Sequence, residues 1–242
     1  MPKDNSPKSS EGPFPTILIL LGPPGAGKGT QCKALAEALR IPHISTGDIL
    51  RDNDRRDTEL GRDVRKIMKN GNLVPDILML NMLAARIAGV DCAGGFILDG
   101  FPRTQDQAES LDLHLSKQVG LEQRSQPFVI RLVVGGRSLL NRIAGRQICP
   151  ACRTIYGTYL CRPCVSGKCD VDGAGLVVRE DDREETILER LRIYEQQILP
   201  IVEHYSKHGS VREIDGDRVA DDVTAEILRA MSEAGRAVLP NA

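Results

Sequence analysis

The chain has 242 residues, which is enough for one large domain or for a core with small insertions. It is 41% hydrophobic and 27% charged and contains no Trp, a composition that predicts a soluble globular protein with a mostly aliphatic core. The net charge of -1 gives no overall field that would favour nucleic acid or an anionic membrane, so any anionic ligand must be bound locally by arginines and backbone amides. No apolar run is long enough to span a bilayer.

The amino-terminal segment, residues 1–15, is rich in Ser, Pro and Lys. It lacks the apolar stretch of a signal peptide, and it contains acidic residues and no Arg, which argues against a mitochondrial transit peptide. We therefore expect residues 1–15 to be a disordered tail and the protein to work in the cytoplasm.

Strands and helices alternate along the rest of the chain. The apolar run 17–21 is typical of a strand buried on both faces of a parallel sheet, and apolar residues then recur at helical spacing from Cys32 to Leu39. Further strands are predicted at 96–98, 128–134 and 211–214, and further helices at 138–145 and 187–201, the last bent at Pro200. This alternation predicts an α/β fold, a parallel sheet with helices on both faces that binds ligands at the carboxyl ends of its strands.

Two stretches interrupt the alternation. Residues 45–74 are polar and helical, and residues 145–182 contain most of the cysteines, several glycines and no helical period. We interpret both as insertions into a core formed by 16–44, 75–144 and 183–235.

A phosphate-binding loop follows the first strand. Residues 22–30, Gly-Pro-Pro-Gly-Ala-Gly-Lys-Gly-Thr, have the G-x4-G-K spacing of a P-loop, in which glycine amides wrap a phosphate and the lysine reaches its β and γ oxygens. The general motif places Ser or Thr directly after the lysine, whereas here Gly29 precedes Thr30. A glycine-rich turn without a ligand is the alternative, but the position between a buried strand and a helix favours a nucleotide site. GTPases, motor ATPases and small-molecule kinases all share this loop.

Further motifs follow the P-loop: Ser45-Thr-Gly-Asp48 with Arg51, Gly71-Asn-Leu-Val74, Asp99-Gly-Phe-Pro-Arg103, and Gln107. With the shifted Gly-Lys-Gly-Thr ending, they make the chain resemble the adenylate kinases among nucleoside monophosphate kinases, from about Thr16 to Arg218. It looks like the long bacterial form with a metal-binding lid. The resemblance implies a monomer that catalyses Mg²⁺-dependent transfer from ATP to AMP, giving two ADP. It also implies two mobile pieces, an AMP-binding segment at 45–74 and a lid at 145–182.

The resemblance assigns roles to individual positions. It implies that ATP is bound by Gly25, Ala26, Gly27, Lys28, Gly29, Thr30, Arg146, Ile155, Tyr156 and Arg218. It implies that AMP is bound by Thr46, Arg51, Asn72, Leu73, Val74, Gly100, Phe101, Pro102, Arg103, Gln107, Arg179 and Arg190. The expected catalytic cations are Lys28, Arg103, Arg142, Arg146, Arg179 and Arg190. Any one of these arginines could instead be a solvated surface residue, and Arg190 could instead pair with neighbours on its own helix.

The chemistry of the reaction suits these side chains. Phosphoryl transfer needs positioning and charge neutralisation more than a general base, and planar guanidinium groups grip phosphate oxygens in pairs. Asp99 ends a strand beside the P-loop and is expected to orient Mg²⁺ through water. The Gln107 amide can donate and accept along one base edge, which with Thr46 favours adenine. Closing the lid would exclude water.

The cysteines predict a metal site. Five of the seven lie between Cys149 and Cys169, and in a cytosolic chain such a cluster is more often a metal site than a disulfide framework. Cys149-x2-Cys152 and Cys169-x2-Asp172 would form a closed tetrahedral site suited to structural Zn²⁺, with the spacing of metal-bearing family lids. Cys161-x2-Cys164 lies between them, so a four-thiol site from Cys149, Cys152, Cys161 and Cys164 stays open, as do disulfides or free thiols. Cys32 and Cys92 stand apart, and we expect both to be small buried side chains.

Three other functions compete with this interpretation. A UMP/CMP or GMP kinase would share the loop and differ in the base pocket. A zinc-ribbon nucleic-acid-binding protein would need a basic surface and stacking aromatics, and the sequence shows neither. A GTPase switch would carry an N/T-K-x-D motif, which is not found.

Overall fold

The computed structural model describes residues 15–55, 67, 72–119, 126–157, 162–179, 182–207 and 209–236. The predicted disordered tail lies outside this range except for Pro15, as do Cys161 and most of the stretch from 56 to 71. In the described part of the chain, no helix is both long enough and apolar enough to cross a membrane.

The core is a five-stranded sheet with helices on both faces. Its strands are β1 (Thr16–Leu21), β2 (His43–Ser45), β3 (Gly95–Asp99), β4 (Phe128–Val133) and β7 (Val211–Asp215). The helices are α1 (Lys28–Leu39), α2 (Thr46–Arg55), α3 (Asp76–Ile87), α4 (Gln105–Val119), α5 (Gly136–Ile143), α6 (Glu184–Ser206) and α7 (Ala220–Glu233), with a 3₁₀ turn at Val90–Cys92. The strand order is β2-β3-β1-β4-β7, and every pairing is parallel.

Strand β1 lies at the centre of the sheet and is buried on both faces. Because side chains alternate along a strand, Ile17 and Ile19 pack in one apolar layer, which α3, α4 and α6 complete. Leu18 and Leu20 pack in the opposite layer with α1 and α7. The continuous apolar run therefore predicted this strand correctly, because a strand covered on both faces needs apolar residues at every position.

Several predicted elements are confirmed, with two differences. The strands at 96–98, 128–134 and 211–214 and the helices at 138–145 and 187–201 are found with shifts of a few residues. Strand β2 has three residues, too few for an apolar period, and was not predicted. Within α6, Ile198 and Ile201 are buried, whereas the apolar Leu188 is 53% exposed, so not every apolar residue of the predicted helix packs on the core. The helix runs through Pro200.

In its described part, the predicted lid at 145–182 contains a small antiparallel ladder. Strands β5 (Gln147–Ile148) and β6 (Ile155–Tyr156) pair with each other, and Ile148 also bridges to Val177. These pairings bring the two ends of the cysteine-rich stretch together. Strand β2 leads directly into α2, so the carboxyl ends of β1, β2 and β3 place the P-loop, Thr46 and Asp99 at one edge of the sheet.

Candidate functional site

The P-loop turns from the end of β1 into the start of α1. Gly25 has a φ of +84°, and a Cβ added there would lie 2.8 Å from Ile143 Cγ1, so this position requires glycine. The first hydrogen bond into α1 is donated by the Gln31 amide to the Gly27 carbonyl at 3.0 Å. The amides before Gln31 at the start of α1 have no acceptor within the helix and can bind an anion at its positive end. The Ala26 amide, in contrast, donates to the Pro23 carbonyl at 3.1 Å.

Lys28 and Asp99 form the charged floor of the site. Lys28 Nζ donates to the carbonyl oxygens of Gly22 at 2.7 Å and Pro23 at 3.0 Å, so its ammonium group lies across the loop. Burial lowers the pKa of Lys28 to about 8, although the charge of Asp99 opposes this shift.

Asp99 stays ionised in the same surroundings. Burial alone would raise its pKa, but the hydrogen bond with His43 and the charges of Lys28 and Arg103 hold the pKa below its ordinary value. His43 Nε2 lies 3.4 Å from Asp99 Oδ2. Asp99 is therefore an anionic oxygen ligand next to the phosphate loop, the type of group that Mg²⁺ and its waters prefer.

A large cavity over this floor is strongly basic. Among the residues described, nine cations line it against two carboxylates, Asp48 and Asp99. The cations are Lys28, Lys33, Arg51, Arg103, Arg142, Arg146, Arg153, Arg179 and Arg190. The chain as a whole has a net charge of -1, so this local concentration marks a site for a polyanion.

Buried acceptors hold several of the arginines in place. Asp182, whose side chain is 1% exposed, pairs with Arg146 and lies 3.8 Å from Arg190 Nη1. Arg142 Nη2 donates to the Gly216 carbonyl at 2.8 Å. Arg103 Nε donates to the Gly100 carbonyl at 2.7 Å. Guanidinium groups held in this way lose little further entropy when they bind phosphate.

Part of the lining of this cavity is apolar, and we call this part the apolar slot. The walls include Leu50, Leu73, Val74, Met79 and Phe101. Gln107 lines the same cavity and is 2% exposed. Its Oε1 accepts from the Arg103 amide at 2.7 Å, and its Nε2 donates to Asp76 Oδ1 at 2.6 Å. These two contacts fix the orientation of the amide and leave one N–H and one lone pair for a ligand.

Thr46 and Gly100 line the same cavity and contact each other. Thr46 is 1% exposed, and its hydroxyl donates to the Gly100 carbonyl at 3.0 Å. Gly100 has a φ of +80°, and an added Cβ would lie 3.0 Å from Thr46 Oγ1, so a side chain at this position would crowd Thr46.

Arg153 connects the lid to α2. The residue has a φ of +60°, and its guanidinium pairs with Asp52 and lies 3.3 Å from Asp48 Oδ1. Its carbonyl accepts from Lys33 Nζ at 3.1 Å. Although burial opposes it, the charges of Arg51, Arg153 and Arg179 keep the pKa of Asp48 below its ordinary value. Arg153 therefore joins three parts of the chain, and sequence reasoning missed it because its partners lie about a hundred residues away.

The lid holds a compact group of potential metal ligands. One donor atom from each of Cys149, Cys152, Cys169 and Asp172 lies within 4.8 Å of the others, and this group can hold a metal ion. Cys149 Sγ lies 3.1 Å from Asp172 Oδ2, and Cys152 Sγ lies 3.4 Å from Cys169 Sγ. Three sulfurs and a carboxylate at these distances suit a tetrahedral cation. In the described part of the lid, Cys164 is exposed and lies outside the group.

Most of the residues predicted to bind nucleotide meet in the basic cavity, with four differences. Ala26 is a buried residue of the P-loop that does not line the cavity, and Pro102 lines an adjacent cavity against α6. Tyr156 is buried in the lid, where its hydroxyl contacts Cys169 Sγ at 3.4 Å. Arg218 pairs with Glu226 Oε2 at 2.6 Å, near the start of α7. The nucleotide-binding roles of these four residues stay predictions, as do the other residue assignments.

The parallel sheet leads into a P-loop, and this loop and the apolar slot line one basic cavity. These features define a phosphotransferase of the nucleoside monophosphate kinase class. The adenylate kinase family model matches residues 20–210, which is most of the chain. The chain therefore belongs to the adenylate kinase family. The class and fold expected from the sequence are confirmed.

Relatives from both bacteria and archaea are similar over nearly their whole length. An adenylate kinase from Lachnospira eligens is 42% identical over 214 residues, which cover 88% of this chain and 99% of the relative. An adenylate kinase from Desulforudis audaxviator is 44% identical, over 88% of this chain and 98% of its own. An adenylate kinase from Methanothrix thermoacetophila is 43% identical over 216 residues, 89% of this chain and 98% of its own.

Proposed function

We propose that this chain transfers the terminal phosphoryl group of ATP to AMP, reversibly, and forms two ADP. The observation that carries the proposal is the placement of Gln107. Its oriented amide and the apolar slot line the same basic cavity as the P-loop. An adenine base in that slot would place its phosphate between Arg51, Arg103 and the P-loop, within one continuous space.

The charged groups of the cavity have distinct tasks in this reaction. Lys28 and the P-loop amides bind the ATP phosphates, and Arg142 and Arg146 neutralise the transferring group. Arg103, held by the Gly100 carbonyl, orients the AMP phosphate, which is already an anion and needs no general base. Mg²⁺ supplies charge neutralisation on the β and γ phosphates when it is bound with ATP, and Asp99 would hold it through water.

The two insertions are proposed to close over the nucleotides. The insertion at 45–74 contributes Leu50, Leu73 and Val74 to the apolar slot, and the lid at 145–182 contributes Arg146, Ile155 and Arg179 to the cavity. Contact between Arg153 and α2 supports a closed arrangement that excludes water. We propose that structural Zn²⁺ is the lid metal, because Cys149, Cys152, Cys169 and Asp172 supply a closed set with no open position. We further propose a cytoplasmic monomer.

A panel of acceptors tests this function. ATP with Mg²⁺ is supplied with AMP, GMP, UMP or CMP, and the diphosphate products are separated by chromatography. We expect kcat/KM to be highest for AMP, and we expect Gln107→Leu to reduce the preference for AMP over GMP while the slot stays filled. A higher kcat/KM for GMP, UMP or CMP in the unaltered protein would refute AMP as the acceptor.

A further inference from the structure

A second group of metal-binding side chains lies at the floor of the nucleotide cavity. One ligand atom from each of Cys32, His43 and Asp99 lies within 4.8 Å of the other two. The three residues come from α1, β2 and β3, which the parallel sheet brings together. Cys32 follows Lys28 by one helical turn, so it lies on the same side of α1. This group is separate from the four ligands in the lid.

The donor atoms of this group select a particular class of cation. A sulfur, an imidazole nitrogen and a carboxylate oxygen are the ligands that Zn²⁺ and similar thiophilic ions prefer, whereas Mg²⁺ prefers oxygen ligands throughout. Three protein ligands leave one position of a tetrahedron open, in contrast with the four donors of the lid.

An ion can approach this group from the nucleotide cavity. His43 and Asp99 line the cavity, and their side chains are 16% and 15% exposed. Cys32 is fully buried behind them, packed among apolar residues such as Leu35. A cation entering between His43 and Asp99 therefore meets the thiol as its third ligand.

We propose that Cys32, His43 and Asp99 form an inhibitory site for Zn²⁺ or a similar thiophilic divalent cation. The inhibition rests on the proposed function, because Asp99 is the carboxylate assigned to hydrated Mg²⁺. An ion bound here occupies the Asp99 carboxylate, which is then no longer available to hydrated Mg²⁺. It also places two positive charges beside Lys28, so the P-loop binds the magnesium complex of ATP less well. Because His43 and Asp99 line the cavity, an ion bound to them would lie next to the space that the phosphates need.

A binding experiment tests the site without reference to catalysis. The full chain is first loaded with one equivalent of Zn²⁺ in the lid, and Co²⁺ is then added as a spectroscopic probe. We expect a thiolate-to-cobalt absorption band that saturates at one further equivalent. The band should be lost in Cys32→Ala and should need about tenfold more Co²⁺ in His43→Gln. Cys92→Ala, which removes another isolated buried thiol, should keep it.

Two outcomes of this titration would overturn the proposal. One is the absence of a band in the unaltered, lid-loaded chain. The other is a band of equal strength in Cys32→Ala, because cobalt would then be replacing zinc in the lid. If Cys32→Ala fails to fold, His43→Gln decides the question, and unchanged Co²⁺ affinity in that variant refutes the site.

Rate measurements then test the inhibition. Free Zn²⁺ is set with a chelator buffer in the presence of excess Mg²⁺ and ATP, and ADP is measured by chromatography. We expect the unaltered chain and Cys92→Ala to lose activity over the same range of free Zn²⁺ in which the second equivalent binds. Cys32→Ala should need about tenfold more Zn²⁺ for the same loss. Equal sensitivity of Cys32→Ala would refute the inhibition. The cobalt absorption band does not depend on which nucleotide accepts the phosphoryl group. It would therefore be observed even if the acceptor were not AMP.

Discussion

Replacing Arg153 by glycine separates two opposing effects of this residue. Its φ of +60° costs about 1–2 kcal/mol for a residue with a Cβ, and glycine adopts this conformation without that cost. Its ion-pair partners Asp48 and Asp52 have side chains that are 29% and 43% exposed. Ion pairs of such exposure contribute about 0.2–1 kcal/mol each. Arg153→Gly should therefore keep or raise the stability of the lid, while the contact between lid and α2 weakens by about 1 kcal/mol.

Initial rates and thermal unfolding measure the two effects separately. A loss of about 1 kcal/mol in lid closure should lower kcat/KM about fivefold for both ATP and AMP, with no decrease in Tm. Asp52→Asn serves as the matched control, because it removes one ion pair and leaves the backbone of Arg153 unchanged. The double variant Arg153→Gly with Asp52→Asn should have a kcat/KM no lower than that of Arg153→Gly alone, because the ion pair between these two residues is already lost. An unchanged kcat/KM in Arg153→Gly, or a Tm lower by several degrees, would contradict this reasoning.

Three further predictions concern charge, base selection and the lid metal. Because the pKa of Lys28 is about 8, its positive charge is lost as pH rises through that value. The kcat/KM for ATP should therefore fall about tenfold per pH unit above about pH 8. The kcat should be maintained, because the phosphates of bound ATP keep the lysine charged. At pH 9.5, about 1.5 units above the pKa of Lys28, most of the lysine is neutral and ATP binding should be suppressed. A kcat/KM for ATP that stays constant up to this pH would refute the role of Lys28. Asp76→Ala removes the acceptor that orients the Gln107 amide, and it should reduce the preference for AMP over GMP, measured as the ratio of their kcat/KM values, by about tenfold. An unchanged ratio would rule out this orienting role of Asp76. By metal analysis, Cys169→Ser should lose the lid metal and lower Tm, whereas Cys164→Ser should keep it, and the reverse pattern would support the four-thiol site.

Local sequence patterns predicted the strands and helices in which burial follows a regular pattern from one end of the element to the other. The strand β1 was predictable because both of its faces are covered, and α1 because one stripe of its surface packs on the sheet. The grouping of Cys149 and Cys152 with Cys169 and Asp172 was predictable from the two x2 spacings, which are local geometric constraints. Their role as metal ligands stays a prediction. Strand β2 was missed because three residues are too few to show a period.

The contacts that orient the site were less predictable, because they join distant parts of the chain. Asp76 holds Gln107 from 31 residues away, and Arg153 meets Asp52 from 101 residues away. No period or motif encodes such pairs, since each residue alone is an ordinary charged side chain. The burial of Tyr156 against Cys169 is of the same kind, because it depends on how the lid folds around its ligands.

The proposed function is the transfer of a phosphoryl group between two adenine nucleotides. The most direct measurement starts from ADP and Mg²⁺ alone and follows all nucleotides by ³¹P NMR. If the chain catalyses this transfer, ATP and AMP should appear in equal amounts, without free phosphate, until an equilibrium mixture is reached. Formation of AMP or phosphate without an equal amount of ATP, or no reaction at all, would contradict it.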